Sequence, residues 1–164
     1  MSGLRIRPAA PADRAGVADL LRGLSAESAY RRFQTGLGPD PGAVILDALL
    51  PADLQGGAVV AHVGRSLVGH GVWRRAGATS VAEIGLVVTD THQGRGIGTA
   101  LAAALLDDLA ARGIERVEVY TSASNQAVTR MVTRYVPDAA RVHDGTVVTY
   151  HFSTPAGATT RTVA

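Results

Sequence analysis

Two features of this chain could do chemistry. One is a glycine-rich run, Gln93-Gly94-Arg95-Gly96-Ile97-Gly98-Thr99; the other is a single carboxylate, Glu83, in the apolar stretch Val81-Ala82-Glu83-Ile84-Gly85-Leu86-Val87-Val88 that precedes it. The stretch is rich in β-formers and predicts a strand, while Ile97, Leu101, Leu105 and Leu109 recur at helical spacing until Gly113 supplies a C-cap. The glycine run therefore joins a strand to a helix N-terminus. Unpaired backbone N–H groups and the positive end of the helix dipole gather there, and glycines let a phosphate approach without Cβ interference. The chain has no lysine and no Gly-x-x-x-x-Gly-Lys-Ser/Thr, which disfavours a nucleotide P-loop. Counted from Gly94, the third glycine of a dinucleotide Gly-x-Gly-x-x-Gly falls on Thr99 instead. What remains is Gln-x-x-Gly-x-Gly, carried by Gln93, Gly96 and Gly98.

With a strand before it and a helix after it, this run resembles the acetyl-CoA signature of the GNAT superfamily of N-acetyltransferases. The stretch from Ala82 to Val88 is similar to that family's central strand, and Asn125 stands where the family often starts its next helix. Upstream, Leu24-Ser25-Ala26-Glu27-Ser28-Ala29-Tyr30-Arg31-Arg32-Phe33 resembles a segment of the GNAT domains of bacterial protein-lysine acetyltransferases. The resemblance covers roughly residues 3 to 153, with its specificity concentrated between Glu83 and Thr99. It implies an α/β (α+β) fold: a central mixed, mostly antiparallel sheet of six to seven strands flanked by helices, with a splay after the Glu83 strand.

The resemblance also implies acetyl-CoA as co-substrate and an amine as acceptor, either a protein lysine or a small molecule. An amine must be deprotonated when it attacks a thioester, so the site needs a base and, less strictly, an acid for the departing thiolate. Glu83 is the expected base, acting through water, with its pKa raised by partial burial; a structural ion pair with an arginine is the competing reading. The main chain of Val87, Val88 and Thr89 would pair with the pantetheine arm as an added strand. Gln93, Gly94, Arg95, Gly96, Ile97, Gly98 and Thr99 would surround the pyrophosphate, and Asn125 joins the same set.

The sequence departs from the family at the acid. The usual tyrosine seven residues after the helix asparagine is Val132, and the usual Gly-Phe at that helix end is Val136-Pro137. Tyr120 is the substitute acid, with Tyr135 a second candidate and water a third. Tyr30, Arg31, Trp73, Tyr150 and His151 are the expected acceptor contacts. His62 and His70 sit in apolar strands and read as core or edge residues, the pair Asp107-Asp108 reads as a solvated helix face, and no metal site is expected. A different class of function, an acyl-CoA-binding module without catalysis, would suit the missing tyrosine; Glu83 argues against it.

A length of 164 residues suits one domain with a sizeable core, expected over residues 1–153 with a flexible tail over 154–164. Hydrophobic content of 46% and charged content of 18% fit a globular chain, and no apolar run reaches membrane-spanning length. Sixteen arginines against 14 acids give a net charge of +2 without a basic stripe, so no nucleic-acid partner is expected. The N-terminus lacks the apolar core of a signal peptide and the chain has no cysteine, which favours a cytoplasmic location. A homodimer is a family expectation.

The expected elements run as follows. A strand at Leu4–Arg7 ends at Pro8, and a helix from about Ala12 to Arg22 sets Val17, Leu20, Leu21 and Leu24 on one face. Ser25 caps a second helix with a stripe of Tyr30, Phe33 and Leu37; a loop over Gly36–Gly42 leads to a short helix through Val44, Leu46 and Leu49. A hairpin spans Gly57–Val63 and Leu67–Arg75. After the Glu83 strand and the glycine-turn helix come a strand over Ile114–Thr121, a helix begun at Ser124-Asn125 and ended by Pro137, and a last hairpin turning at Asp144-Gly145.

Overall fold

The computed structural model describes residues 3–33 and 40–155, so Leu37 and the Gly36–Pro39 part of the expected loop lie outside the described residues, as do 156–164 of the expected tail. In chain order the elements are β1 (Leu4–Pro8), a 3₁₀ turn (Pro11–Asp13), α1 (Arg14–Arg22), α2 (Ala26–Phe33), α3 (Ala43–Leu49), β2 (Gly56–Val63), β3 (Ser66–Arg75) and β4 (Val81–Val88). A second 3₁₀ turn (Asp90–His92) leads to α4 (Ile97–Ala111), β5 (Arg116–Ser122), α5 (Gln126–Tyr135), β6 (Ala140–Asp144) and β7 (Val147–Ser153). The strands form one seven-stranded sheet in the order β1-β2-β3-β4-β5-β7-β6. Every pairing is antiparallel except β4 with β5.

Local chemistry sets the ends of the elements. Ser25 Oγ accepts from the Ser28 N–H at 3.1 Å, capping α2. Asn125 Oδ1 accepts from the Val128 N–H at 3.3 Å, capping α5. Gly113 (φ +70) and Gly145 (φ +60) take the left-handed conformations that end α4 and turn the last hairpin.

The two faces of the sheet carry separate cores. On one, Ile97, Leu101, Leu105 and Leu109 of α4 are at most 1% exposed and pack on Val59, Ala61, Trp73 and Ala82. Burying each such side chain contributes about 1.5–3 kcal/mol, so this stripe anchors the helix that follows the glycine turn. Close approach is possible because β3 presents Gly69 and Gly71 to α4: a Cβ there would stand 2.9 Å from Leu101 Cδ1 and Leu105 Cδ1 respectively. On the other face Val17, Leu20 and Leu21 of α1 and Leu46 and Leu49 of α3 cover Val60, Val72 and Val87.

One break in the sheet matters for the site. The β4–β5 ladder pairs Val81 through Ile84 with Arg116 through Val119 and goes no further, while β4 stays paired to β3 up to Val88 and β5 to β7 up to Ser122. The parallel strands therefore diverge from Gly85 onward, leaving an opening between them.

Candidate active site

The opening is the throat of a cavity of about 840 Å³. Its walls come from both sides of the sheet. Arg32, Phe33, Leu49, Val72, Arg74, Glu83 and Gly85 line it on the α2–α3 side, and Thr99, Ala102, Leu106, Val119, Asn125 and Met131 on the α4–α5 side. A ligand in the opening would thus touch the first turn of α4 at one end and Glu83 at the other.

The glycine turn leads into that first turn. Gly94 (φ +73) and Gly96 (φ +83) both take left-handed conformations, and a Cβ built at either would meet nothing within 4 Å. The left-handed φ, which glycine adopts without strain, together with open space outside, is what a backbone cradle for an anion requires. The Ala100 N–H to Gly96 carbonyl bond, 3.1 Å, is the first of α4. The amides before it have no partner within the helix and stand at its positive end.

Other members of the expected cofactor set act differently. The Gln93 side chain donates to the Val88 carbonyl at 3.0 Å and to Ser28 Oγ at 3.2 Å, so it clasps the turn to the end of β4 and to α2 rather than reaching outward. Asp90 adds a second clasp. Burial raises its pKa, but hydrogen bonds from Ser25 and Ser28 outweigh that and leave it below the usual carboxylate range. Ile97 is buried in the α4 core, so only its main chain can meet a ligand. Val87 and Val88 also point their side chains into the two cores. Thr89 hydroxyl contacts His92 Nδ1 at 3.2 Å, and Arg95 is exposed. Gly98 faces Leu86 and Met131, whose nearest atoms stand 3.5 Å from its ideal Cβ position. Asn125, besides capping α5, donates to Thr121 Oγ1 at 3.1 Å and lines the cavity with Thr99.

Glu83 lies on the cavity wall but is exposed, so the partial burial expected of it is absent. Among the described residues it forms no ion pair, although Arg74 is its neighbour in register on β3. Tyr120 and Tyr135 both line the cavity, 54% and 47% exposed, with their hydroxyls unconstrained by any hydrogen bond among the described residues.

The acceptor set needs correction. Trp73 is fully buried on the opposite face, its indole N–H donating to Asp108 Oδ2 at 2.7 Å. Tyr150 is likewise buried, and its hydroxyl bonds Thr129 of α5 at 2.9 Å. Neither lines the cavity. Tyr30 is exposed on α2 and also outside the lining, while Arg31 lines the cavity and pairs with Glu27. His151 stands beside the site, with Nδ1 3.7 Å from Glu118 Oε2. The Asp107-Asp108 pair is not simply solvated: Asp108 holds Trp73 and Arg112, and Asp107 lines the cavity with Oδ1 sealed from solvent.

Sequence reasoning missed Arg32 and Gly85 on the cavity wall and Glu118 next to it. Glu118 carried the signal that singled out Glu83, a lone charge in a β-forming run; strand pairing then sets Glu118 directly opposite Glu83. Among the described residues, no group of three or more His, Cys, Asp or Glu could hold a metal ion, and no helix is long and apolar enough to cross a membrane.

Comparison with known proteins agrees with this architecture. The family model described as Acetyltransferase (GNAT) family matches residues 24–135. The GNAT domain of Streptomyces lividans PAT superposes with a TM-score of 0.82 at 23% identity, over 92% of this chain and 90% of that one. A cAMP-binding acyltransferase from Mycobacterium smegmatis gives 0.63 at 26% identity, over 93% of this chain but 44% of its own. The structure of yncA from Salmonella typhimurium with its cofactor acetyl-CoA gives 0.74 at 16% identity, over 96% and 97%. No curated protein sequence matches significantly.

Proposed function

We propose that this chain, which belongs to the acetyltransferase (GNAT) family, transfers the acetyl group of acetyl-CoA to a primary amine. One observation carries the reading: the first turn of α4, the β4–β5 opening and Glu83 share a single cavity. The amides around Gly96 hold the pyrophosphate. The unpaired edge of β4 beyond Ile84 offers main-chain groups to the pantetheine arm, including those of Val87 and Val88. The thioester then lies in the opening beside Gly85 and Leu86, within reach of an amine on the α2–α3 side.

Glu83 takes a proton from the ammonium through a bridging water, and the freed amine attacks the thioester carbonyl. A C–N bond forms and the C–S bond breaks; Glu83, having passed the first proton to solvent, takes the nitrogen's second proton through the same water. Tyr120 or Tyr135 returns a proton to the thiolate; with Val132 in the usual tyrosine place, water is the remaining donor. A cytoplasmic setting, argued from a chain without cysteine, and a homodimer, argued from the family resemblance, belong to the same proposal.

The test is release of free CoA from acetyl-CoA across a panel of small amines, amino acids and lysine peptides. Transfer to at least one amine is expected. Tight acetyl-CoA binding with no release for any acceptor would replace the enzyme with a binding module.

A further inference from the structure

Arg32 is a half-buried, cavity-lining arginine with no carboxylate partner among the described residues. Its guanidinium lies on Gly85, the first β4 residue past the β4–β5 ladder: a Cβ at 85 would meet Cζ at 2.7 Å and Nη2 at 2.8 Å. The absent side chain is therefore what makes room for the guanidinium at the throat. Nε is sealed from solvent without a hydrogen-bond partner. No carboxylate pairs with Arg32 among the described residues, and its close contact is the Phe33 ring, 4.8 Å to the centroid. Burial alone pushes its pKa down to about 10, with no neighbouring acid to offset it. Elsewhere this chain gives Arg7, Arg14, Arg22, Arg31 and Arg112 carboxylate partners. A partly desolvated, unpaired charge facing a cavity carries a cost that an anionic ligand relieves.

The opposite sign sits nearby on the same face. Glu83 precedes Gly85 by two residues, which places the two positions on one side of the strand about 7 Å apart. Glu118, next to the cavity lining, is in register with Glu83 on β5, and His151, in register with Glu118 on β7, has Nδ1 3.7 Å from its carboxylate. Like charges opposite one another in a sheet repel, so Glu83 and Glu118 favour a cation between them. Arg74, in register on the other flank, donates instead to the Ala48 carbonyl at 3.3 Å.

We propose that the acceptor is a small amino-carboxylate zwitterion, its ammonium held at Glu83, with the Glu118 charge next to it on β5, and its carboxylate by the Arg32 guanidinium. The proposal rests on the acetyl-transfer reading for the fate of the amine, but its recognition step does not. A free amino acid, with both groups close together, spans the two poles. A lysine side chain within a protein offers only the cation, and so does a polyamine.

Binding tests this separately from catalysis. The full chain, saturated with CoA, is titrated calorimetrically with free amino acids and with their carboxamides, which keep the amine and remove the anion. At least one amino acid should bind about 10²-fold more tightly than its carboxamide, the scale of losing a charge-assisted partner in a partly buried site. Arg32→Gln should erase that preference, while Arg32→Lys should keep part of it. Gly85→Ala, which displaces the guanidinium but retains its charge, should also weaken the preference and stands in if Arg32→Gln does not fold. CoA affinity and melting temperature serve as controls on each variant. Equal binding of every acid and carboxamide pair by the unaltered protein overturns the proposal, as does a preference that survives both Arg32→Gln and Gly85→Ala. Failure of the transferase reading looks different: amino acids bind with the carboxylate preference, yet no CoA is released.

Discussion

His70 should make this protein lose stability in mild acid. It lies on β3 with no exposed surface, and its Nε2 is 2.7 Å from the Leu49 carbonyl at the end of α3. A carbonyl only accepts, so the neutral ring carries its proton on Nε2, leaving Nδ1 sealed and without a partner. Burial is the main cause that lowers the pKa; the Leu49 bond works the other way and the Arg32 charge adds to the lowering, for a result of about 4 against an ordinary 6.5. Since the folded value is depressed, the unfolded chain binds a proton that the folded chain refuses between those two pH values. Stability is therefore fully present above about 6.5 and declines as pH falls toward about 4. A gap of about 2.5 units at 1.36 kcal/mol each is worth roughly 3 kcal/mol. Urea denaturation of the unaltered protein and of His70→Gln at several pH values between 7.5 and 4.5 measures it. Glutamine can still donate to Leu49 and does not titrate, so the variant should be the less stable at pH 7.5, by about 1 kcal/mol, and should close or reverse that difference in acid. Two stability profiles that stay parallel across this range would refute the assignment of His70 as a neutral buried histidine.

Four further outcomes are expected. Gly96→Asp adds a side chain at positive φ and a negative charge at the cradle, so acetyl-CoA affinity should drop by at least about 10²-fold in calorimetry. Glu83→Gln should leave that affinity intact and lower kcat by about 10²- to 10⁴-fold near neutral pH, with the deficit shrinking in alkaline buffer, where the acceptor amine is already neutral. Of Tyr120→Phe and Tyr135→Phe, the variant that removes the acid should lower kcat by up to about 10²-fold with little change in KM for acetyl-CoA; unchanged rates in both would assign the proton to water. Gly71→Val should cost roughly 1–3 kcal/mol in urea denaturation, because Leu105 of α4 occupies the space a side chain needs.

What the sequence conveyed was local, and what it withheld was pairing. The caps at Ser25 and Asn125, the C-terminal Gly113 and the turn at Asp144-Gly145 each depend on a few neighbouring residues, so each could be read in place. The glycine cradle belongs to the same class, since strand, turn and helix are contiguous. The acceptor side depends on which strands meet and which face each residue takes. Strand alternation tells that Trp73 shares a face with Gly69 and Gly71, but not that this face is the one under α4. The glycines carried a usable hint: a large indole two and four residues from missing side chains suits a face where a helix comes very close, which is a core and not a substrate pocket. Arg32 reaches the cavity, and Glu118 its place next to Glu83, only through contacts between residues far apart in the chain, and no spacing rule connects Arg32 to Gly85. The same non-local logic explains why Gln93 serves as a clasp. It stands in the cofactor turn by sequence, yet the fold brings α2 against that turn, and two hydrogen bonds to Val88 and Ser28 use its amide. A motif residue can thus be required for cofactor binding without touching the cofactor, because the turn it braces is the one whose amides do.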